Sequence, residues 1–430
     1  MTSICLALVA SLAAYFSIHS LLIASTETST LPLADIWLFY VDYFKYVDGN
    51  YSFWHLFDRH NDHVIVTTRL ALFVDTIWFG ASGKFVLAVT YLTALVSALM
   101  VAYLAAKPKK WEVAGLTIAF LGLTWAFLQL DNLTLPFQLE FPLVHAFALA
   151  TLIALWLGLA GGRLWYVLVF ACDFGAVFSV GSGVMVGVSA IAIAVWARKW
   201  DRVFALFLIF HITLIVLYAW LVIGHGYSPR LPPTLTEAIA YFATFLGNFA
   251  YWPDWALPVG LIVVALCAGL FCWLTWGSFR RGAPPAGEVV ILAAFALFMI
   301  LEAAAATLGR AKFGVSQARE LRYTTCTLLL VATLFALAWR LFPKRVSRIS
   351  TLLALTAVLF VANNSFVENG WRKRNQEMDV MAAEIAKGTL PPGAAATLYV
   401  PANIFFEPLI WRFRASELGP FRPHPTTSNP

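Results

Sequence analysis

Charge is scarce in this chain: Asp, Glu, Lys and Arg make up 12% of its 430 residues, about half the share of an ordinary soluble domain. With 61% of the residues hydrophobic, a charged, water-facing shell around a single core is excluded. Cysteine is scarce as well. Cys5, Cys172, Cys267, Cys272 and Cys326 each fall inside an apolar block with no motif spacing. Their pattern therefore specifies neither a disulfide framework nor a zinc site, and they read as small hydrophobes. The N-terminus lacks the basic start of a secretory signal. Its first apolar block, residues 3–24, exceeds a typical signal core and reads as a retained helix.

What the chain has instead is a series of apolar blocks of roughly the length a helix needs to cross bilayer hydrocarbon. After 3–24 come 85–106, 113–130, 142–159, 164–180, 184–196, 203–223, 256–276, 289–308, 323–341 and 349–366, eleven in all. Every second connection is short and basic: Lys107, Lys109 and Lys110, then Arg163, then Arg198, Lys199 and Arg202, then Arg280 and Arg281, then Lys344, Arg345 and Arg348. The positive-inside rule makes these cytoplasmic. The N-terminus is then inside, and residues 25–84, 129–141, 225–255, 309–322 and 367–430 lie outside. The net charge of +6 would suggest nucleic acid in a soluble protein, but the placement of the basic residues ties it to the membrane, and no nucleic-acid partner is expected. The expected fold class is an all-α polytopic membrane protein, with a membrane domain over residues 1–366 and a short outer segment over 367–430.

Residues 63–79 are nearly long enough to span but carry Arg69 and Asp75, and each charge at mid-bilayer costs at least about 2.5 kcal/mol. A crossing there would also move every later basic loop to the other side. The segment is expected to be an amphipathic helix in the outer interface. Upstream, Ile36, Phe39, Tyr40, Tyr43 and Tyr46 recur at helical spacing, Gly49-Asn50 breaks the run, and Ser52 can cap a second short helix. Two or three such helices would build a shallow cavity over the membrane domain.

Several groups of residues could carry chemistry. Arg310, Lys312, Arg319 and Arg322 lie in a loop that the positive-inside rule depletes of cations. They suit either a phosphate at the membrane surface or anionic lipid headgroups. The turn with Asp131, Asn132, Gln138 and Glu140 can hydrogen-bond sugar hydroxyls, or be an ordinary exposed loop. Asp173, Glu302, His145 and His211 fall within apolar blocks, where ionisable groups either line a path or pair with neighbouring helices. His55, Asp58, His60, Asp62 and His63 cluster but match no metal motif, so a divalent ion is possible there and not favoured.

Taken together, Asp35-Ile36-Trp37 with Asp48-Gly49, His60-Asn61-Asp62-His63 with Arg69-Leu70, Asp131-Asn132 with Phe137-Gln138 and Phe141, Phe178-Ser179 with Gly183, and Gly309-Arg310, Gly314, Gln317-Ala318 and Arg322-Tyr323 form a pattern. It resembles the bacterial inner-membrane glycosyltransferases of the GT-C type, in particular a broad group of multi-pass proteins. The resemblance covers most of the chain up to about residue 330. It implies a GT-C-like fold of about eleven transmembrane helices with outer interfacial helices and a small periplasmic tail. It also implies transfer of a sugar from a polyprenyl-phosphate donor to an envelope glycan or lipid acceptor on the periplasmic face. In that architecture an acidic residue of the first outer loop is the base, and Asp35 is the position that matches.

For an inverting transfer, the expected base is Asp35, whose other reading is an N-cap for the helix that follows. Asp62 is second choice, with His63 orienting a carboxylate or holding a hydroxyl. Arg310, Lys312, Arg319 and Arg322 would hold the donor phosphate, with Tyr323 adding a hydrogen bond. Asp131, Asn132 and Gln138 are the candidate sugar and acceptor contacts, and no cofactor is called for. The tail is expected to cover the outer face, helical over 370–388 and strand-like near 396–406. Competing readings are a transporter or lipid flippase, which predicts internal repeats that the sequence does not display, and an envelope polysaccharide polymerase or ligase, which differs mainly in its donor.

Overall fold

The computed structural model describes residues 2–61, 63–107, 109–162, 164–223, 234–250, 252–281, 285–342 and 365–423. Among these residues it is all-helical apart from one isolated antiparallel bridge between His60 and His63. Seven helices are long and apolar enough to cross a membrane: α1 (Thr2–Glu27), α4 (Lys84–Ala106), α7 (Glu140–Leu159), α10 (Arg202–Ile223), α12 (Pro253–Arg281), α13 (Gly287–Arg310) and α14 (Thr324–Leu341). An eighth candidate is broken, since α5 (Lys110–Thr124) meets the next helical stretch, Phe127–Thr134, at a bend of 54°. That stretch ends in the one-turn helix α6 (Leu130–Thr134).

The blocks expected at 164–180 and 184–196 are shorter than a full crossing. They form α8 (Trp165–Val177) and α9 (Val186–Ala197), and 13 residues reach only about 20 Å against roughly 30 Å of hydrocarbon. The chain turns between them where a Cβ on Gly183 would lie 2.0 Å from the Ala176 carbonyl oxygen. A further short apolar helix, α11 (Leu235–Leu246), packs on α12 and α13. The expected crossing at 349–366 lies almost wholly outside the described residues.

Helices α4, α5, α7, α13 and α14 form the centre of the bundle, with Ala98, Ala102, Phe120, Leu152, Phe295 and Leu329 in its core. Outlying α10 presents Leu206, Ile209, Ile212, Val216 and Trp220 outward, a continuous apolar face suited to lipid. Hydroxyls inside the spans turn back on their own helices: Thr90 donates to the Val86 carbonyl, Thr151 to Phe147 and Thr333 to Leu329, each at 2.8 Å. The described basic connections gather at one end. There Lys199 donates to the Leu159 carbonyl at 3.3 Å, Arg198 to that of Ser278, and Arg340 pairs with Glu288 at 3.4 Å.

The opposite end carries α2 (Ile36–Val47), a 3₁₀ turn at Phe53–Phe57 and α3 (Val66–Phe79). The helices expected over the first outer loop are thus present, with a capping box between Ser52 and His55 at the start of the turn. The amphipathicity of α3 is inverted, however. Its charged residues face inward, at 1% and 3% exposure for Arg69 and Asp75, while Leu70, Ile77 and Trp78 face out. Asp75 caps α4 by accepting from the Gly83 and Phe85 N–H groups at 2.8 and 3.0 Å. Arg69 donates through one nitrogen to the carbonyls of His55, Leu56 and Asp58 at 3.0, 2.8 and 2.9 Å, and pairs with Asp42 at 3.4 Å.

The tail folds over this same end as α15 (Ser365–Ala386), α16 (Ala394–Thr397) and α17 (Phe406–Ala415). The stretch expected to be strand-like is one helical turn, a bend and the start of α17. Its aromatic residues serve a helix packed on a helix: Trp37 meets Phe406 and Tyr40 meets Phe413, with ring centroids 5.2 and 4.7 Å apart. Residues 31–86 and the tail therefore share one apolar core. Ion pairs fasten the rim, between Arg374 and Asp131 and between Arg412 and Asp48 at 2.5 Å, and between Arg372 and Glu27.

Because Arg69 serves three carbonyls and a carboxylate at once, Arg69→Met is expected to destabilise the protein by about 3–5 kcal/mol, the usual cost of stripping one partner from a buried pair. Thermal unfolding of detergent-solubilised protein measures this, and a midpoint equal to wild type would remove Arg69 from its structural role.

Candidate functional site

Where the layer of α2, α3 and the tail meets the bundle there is a cavity of about 270 Å³, partly open to solvent. Asp35, Asn61 and His63 line it from the first loop, Glu140 from the start of α7, Ser182 from the α8–α9 turn, and Arg310, Arg322 and Tyr323 from the α13–α14 connection. Phe137, Phe141, Val222 and Phe245 supply an apolar wall.

Asp35 stands at the N-cap position of α2, but its side chain makes no capping bond. It accepts instead from Asn61 Nδ2 at 3.1 Å. Both sides of this contact have unusual backbone. Ala34 and Asn61 adopt φ of 57° and 53°, a region Asn tolerates and Ala enters at a cost of roughly 1–2 kcal/mol. The tail holds the strained turn in place, with the Ala34 N–H donating to the Leu398 carbonyl at 2.8 Å. Strain of this kind persists where surrounding structure over-determines it, often at functional sites.

Arg310 ends α13, and Arg322 lies in a 3₁₀ turn, Leu321–Tyr323. That turn is clamped from three sides. Asn132 donates to the Leu321 carbonyl and to Thr325 Oγ1, both at 2.9 Å, Asn248 donates to the Glu320 carbonyl at 2.9 Å, and Tyr241 donates to Gln317 Oε1 at 3.2 Å. Arg322 itself pairs with Glu320. Glu140 is 2% exposed, one of its carboxylate oxygens has no hydrogen-bond partner, and it lies within electrostatic reach of Arg322, Asp35 and Arg310.

A second, smaller space opens on the far side of Asp35. It is lined by Asp35, Leu38, Arg59, Asn61 and the tail residues Pro401 and Asn403. Asp35 and Asn61 thus belong to both spaces.

Of the residues singled out from sequence, the structure brings Asp35, His63, Arg310, Arg322 and Tyr323 to one cavity. Others lie elsewhere. Lys312 sits over the Phe313 ring, 4.9 Å from its centroid, and Arg319 is exposed, and neither lines the cavity. Asp131 is engaged by Arg374, Asn132 is buried in the clamp on the Leu321 turn, and Gln138 points a carbonyl oxygen into protein without a partner. Asp62 lies outside the described residues. In the His/Asp-rich segment, His55 stacks on Tyr51 and His60 on Phe137, with centroids 4.9 and 4.8 Å apart.

Sequence reasoning did not assign Ser182 or Tyr218 to the site, and it named Asn61 only within the family pattern. It named Glu140 with the sugar-contacting turn and Glu302 among the ionisable residues of the apolar blocks, without placing either in one cavity with Asp35. No family model, curated protein or solved structure matches this chain.

His60, 1% exposed, is pushed down to about 3 by burial and by the nearby Arg69 charge. Its folded pKa lies below the roughly 6.5 of an unfolded His, so its contribution to stability is complete above about pH 6.5 and is lost as pH falls toward 3. The melting temperature is expected to drop between pH 7 and 5, and His60→Phe to flatten that drop. An equal drop in both proteins would show that the folded protein does not hold His60 neutral.

Proposed function

We propose that this chain is a glycosyltransferase that moves a sugar from a polyprenyl-phosphate carrier to a cell-envelope glycan or lipid acceptor. The observation that carries this reading is the position of Asp35, whose carboxylate lines both the cavity containing Arg310 and Arg322 and the smaller space under the tail. A base for an inverting transfer has to reach the acceptor hydroxyl and the anomeric carbon together, and a carboxylate between two cavities meets that requirement.

In this reading the lipid phosphate lies against Arg310 and Arg322, which stabilise the charge that builds on it. The sugar points toward Asp35, and the lipid tail follows the wall of Phe137, Phe141, Val222 and Phe245. The acceptor enters from the side of Arg59 and Asn403. Its hydroxyl oxygen attacks the anomeric carbon with inversion, the proton passes to Asp35, and the bond to the phosphate oxygen breaks to release polyprenyl phosphate. Asn61 fixes the Asp35 rotamer through its 3.1 Å bond. The cavity faces the periplasmic side, because the described basic connections gather at the opposite end.

Purified protein given a polyprenyl-phosphate sugar tests the reading. Asp35→Asn is expected to lower kcat by about 10²–10⁴, the usual worth of a general base, with donor KM little changed. Arg322→Ala is expected to weaken the donor by about 1.5–3 kcal/mol, the worth of a hydrogen bond to a charged group. Transfer by Asp35→Asn at the wild-type rate, with normal expression, would eliminate Asp35 as the base.

A further inference from the structure

Beneath the cavity, His145 of α7, Glu302 of α13 and Cys326 of α14 converge. The ligand-competent atoms of the three residues all lie within 4.8 Å of one another, and all three side chains are buried. The residues come from three packed helices, so the grouping is fixed by the bundle.

The geometry inside the trio is unusual. His145 Nδ1 is 2.6 Å from the Phe141 carbonyl oxygen, and since a carbonyl can only accept, Nδ1 carries the hydrogen. Nε2 is the ring nitrogen that faces Glu302. Glu302 Oε2 lies 2.8 Å away, and the two atoms form an ion pair when the ring is protonated. At 0% and 5% residue exposure, these two ligand-competent atoms stand side by side with Cys326 Sγ close by, and an ion held by all three would take the place of the proton the pair shares.

The donor set points the same way. Imidazole nitrogen, carboxylate oxygen and thiolate sulfur together suit zinc, and a carboxylate and a thiolate balance a divalent charge within the bundle. Cys326 Sγ contacts the Met299 carbonyl oxygen at 3.6 Å and also lies within hydrogen-bond reach of Glu302, contacts it can give up as it loses its proton to a metal. The other Glu302 oxygen accepts from Ser182 Oγ at 3.2 Å, and both residues line the cavity. A fourth coordination position would open there.

We infer that His145 Nε2, Glu302 Oε2 and Cys326 Sγ form a binding site for a divalent zinc-like ion, with its free position facing the cavity. The site is distinct from the His-rich outer segment, and its test does not depend on the proposed transfer reaction.

The detergent-solubilised full chain, stripped with chelator, is titrated with Co²⁺ and separately with Zn²⁺. Wild type is expected to bind about one equivalent of either ion and to show a thiolate-to-cobalt charge-transfer absorption. Cys326→Ser should lose that absorption, and Glu302→Gln should hold less zinc by elemental analysis after gel filtration. The wild-type cobalt spectrum requires no variant, so misfolding of a variant cannot mask the answer. The inference is overturned if wild type shows no thiolate-to-cobalt band, or if its zinc content equals that of a His145→Gln, Cys326→Ser double variant. Either outcome would mean that the trio shares protons instead of an ion.

Discussion

A single buried guanidinium organises the layer above the membrane bundle. The 3₁₀ turn at Phe53–Phe57 and the residue after it present carbonyls that no regular helix satisfies, and Arg69 collects three of them while pairing with Asp42 of α2. Lysine has no such planar fork of donors. Taking this charge out of water is expensive, and four acceptors offset that cost. As a consequence the loop after α2 folds back toward α3, which brings Asn61 to Asp35 and His63 to the cavity.

Within the bundle the same requirement, that no polar group stay unpartnered in an apolar medium, sorts the polar residues by role. Asp173 bonds His211 at 2.9 Å, and Trp339 donates to Glu112 at 3.1 Å. These pairs join helices and use up their own chemistry. Glu140 is different, because one of its carboxylate oxygens keeps no hydrogen-bond partner. It borders the cavity, as does Glu302. A group that the bundle does not consume thus lies where a ligand has room.

The tail completes the arrangement. It contributes Phe406, Ile410 and Phe413 to the core beneath α2, holds the strained backbone before Asp35 through Leu398, and lines the second space through Pro401 and Asn403. A C-terminal segment that reads in isolation as an appended lid is thus part of the scaffold that positions Asp35.

The sequence by itself determined the membrane class, the short helices after the first span and the ends of the bundle to which the basic loops and Asp35 belong. Apolar block length, helical spacing of aromatics and loop charge are local properties, and local properties can be read along a chain. It also placed Asp35, Arg310 and Arg322 correctly on one end. The structure showed that α8 and α9 stop short, at a turn where Gly183 closes on the end of α8 at Ala176. Only the fold, likewise, turned the charges of α3 inward, buried Asn132 as a clamp, left Lys312 and Arg319 outside the cavity and set Glu140 and Glu302 along it. Each of these outcomes depends on which partner lies across a helix interface. Residues such as Asn132 and Leu321, or His145 and Cys326, meet across nearly two hundred positions of chain, and no spacing rule in one sequence encodes that meeting.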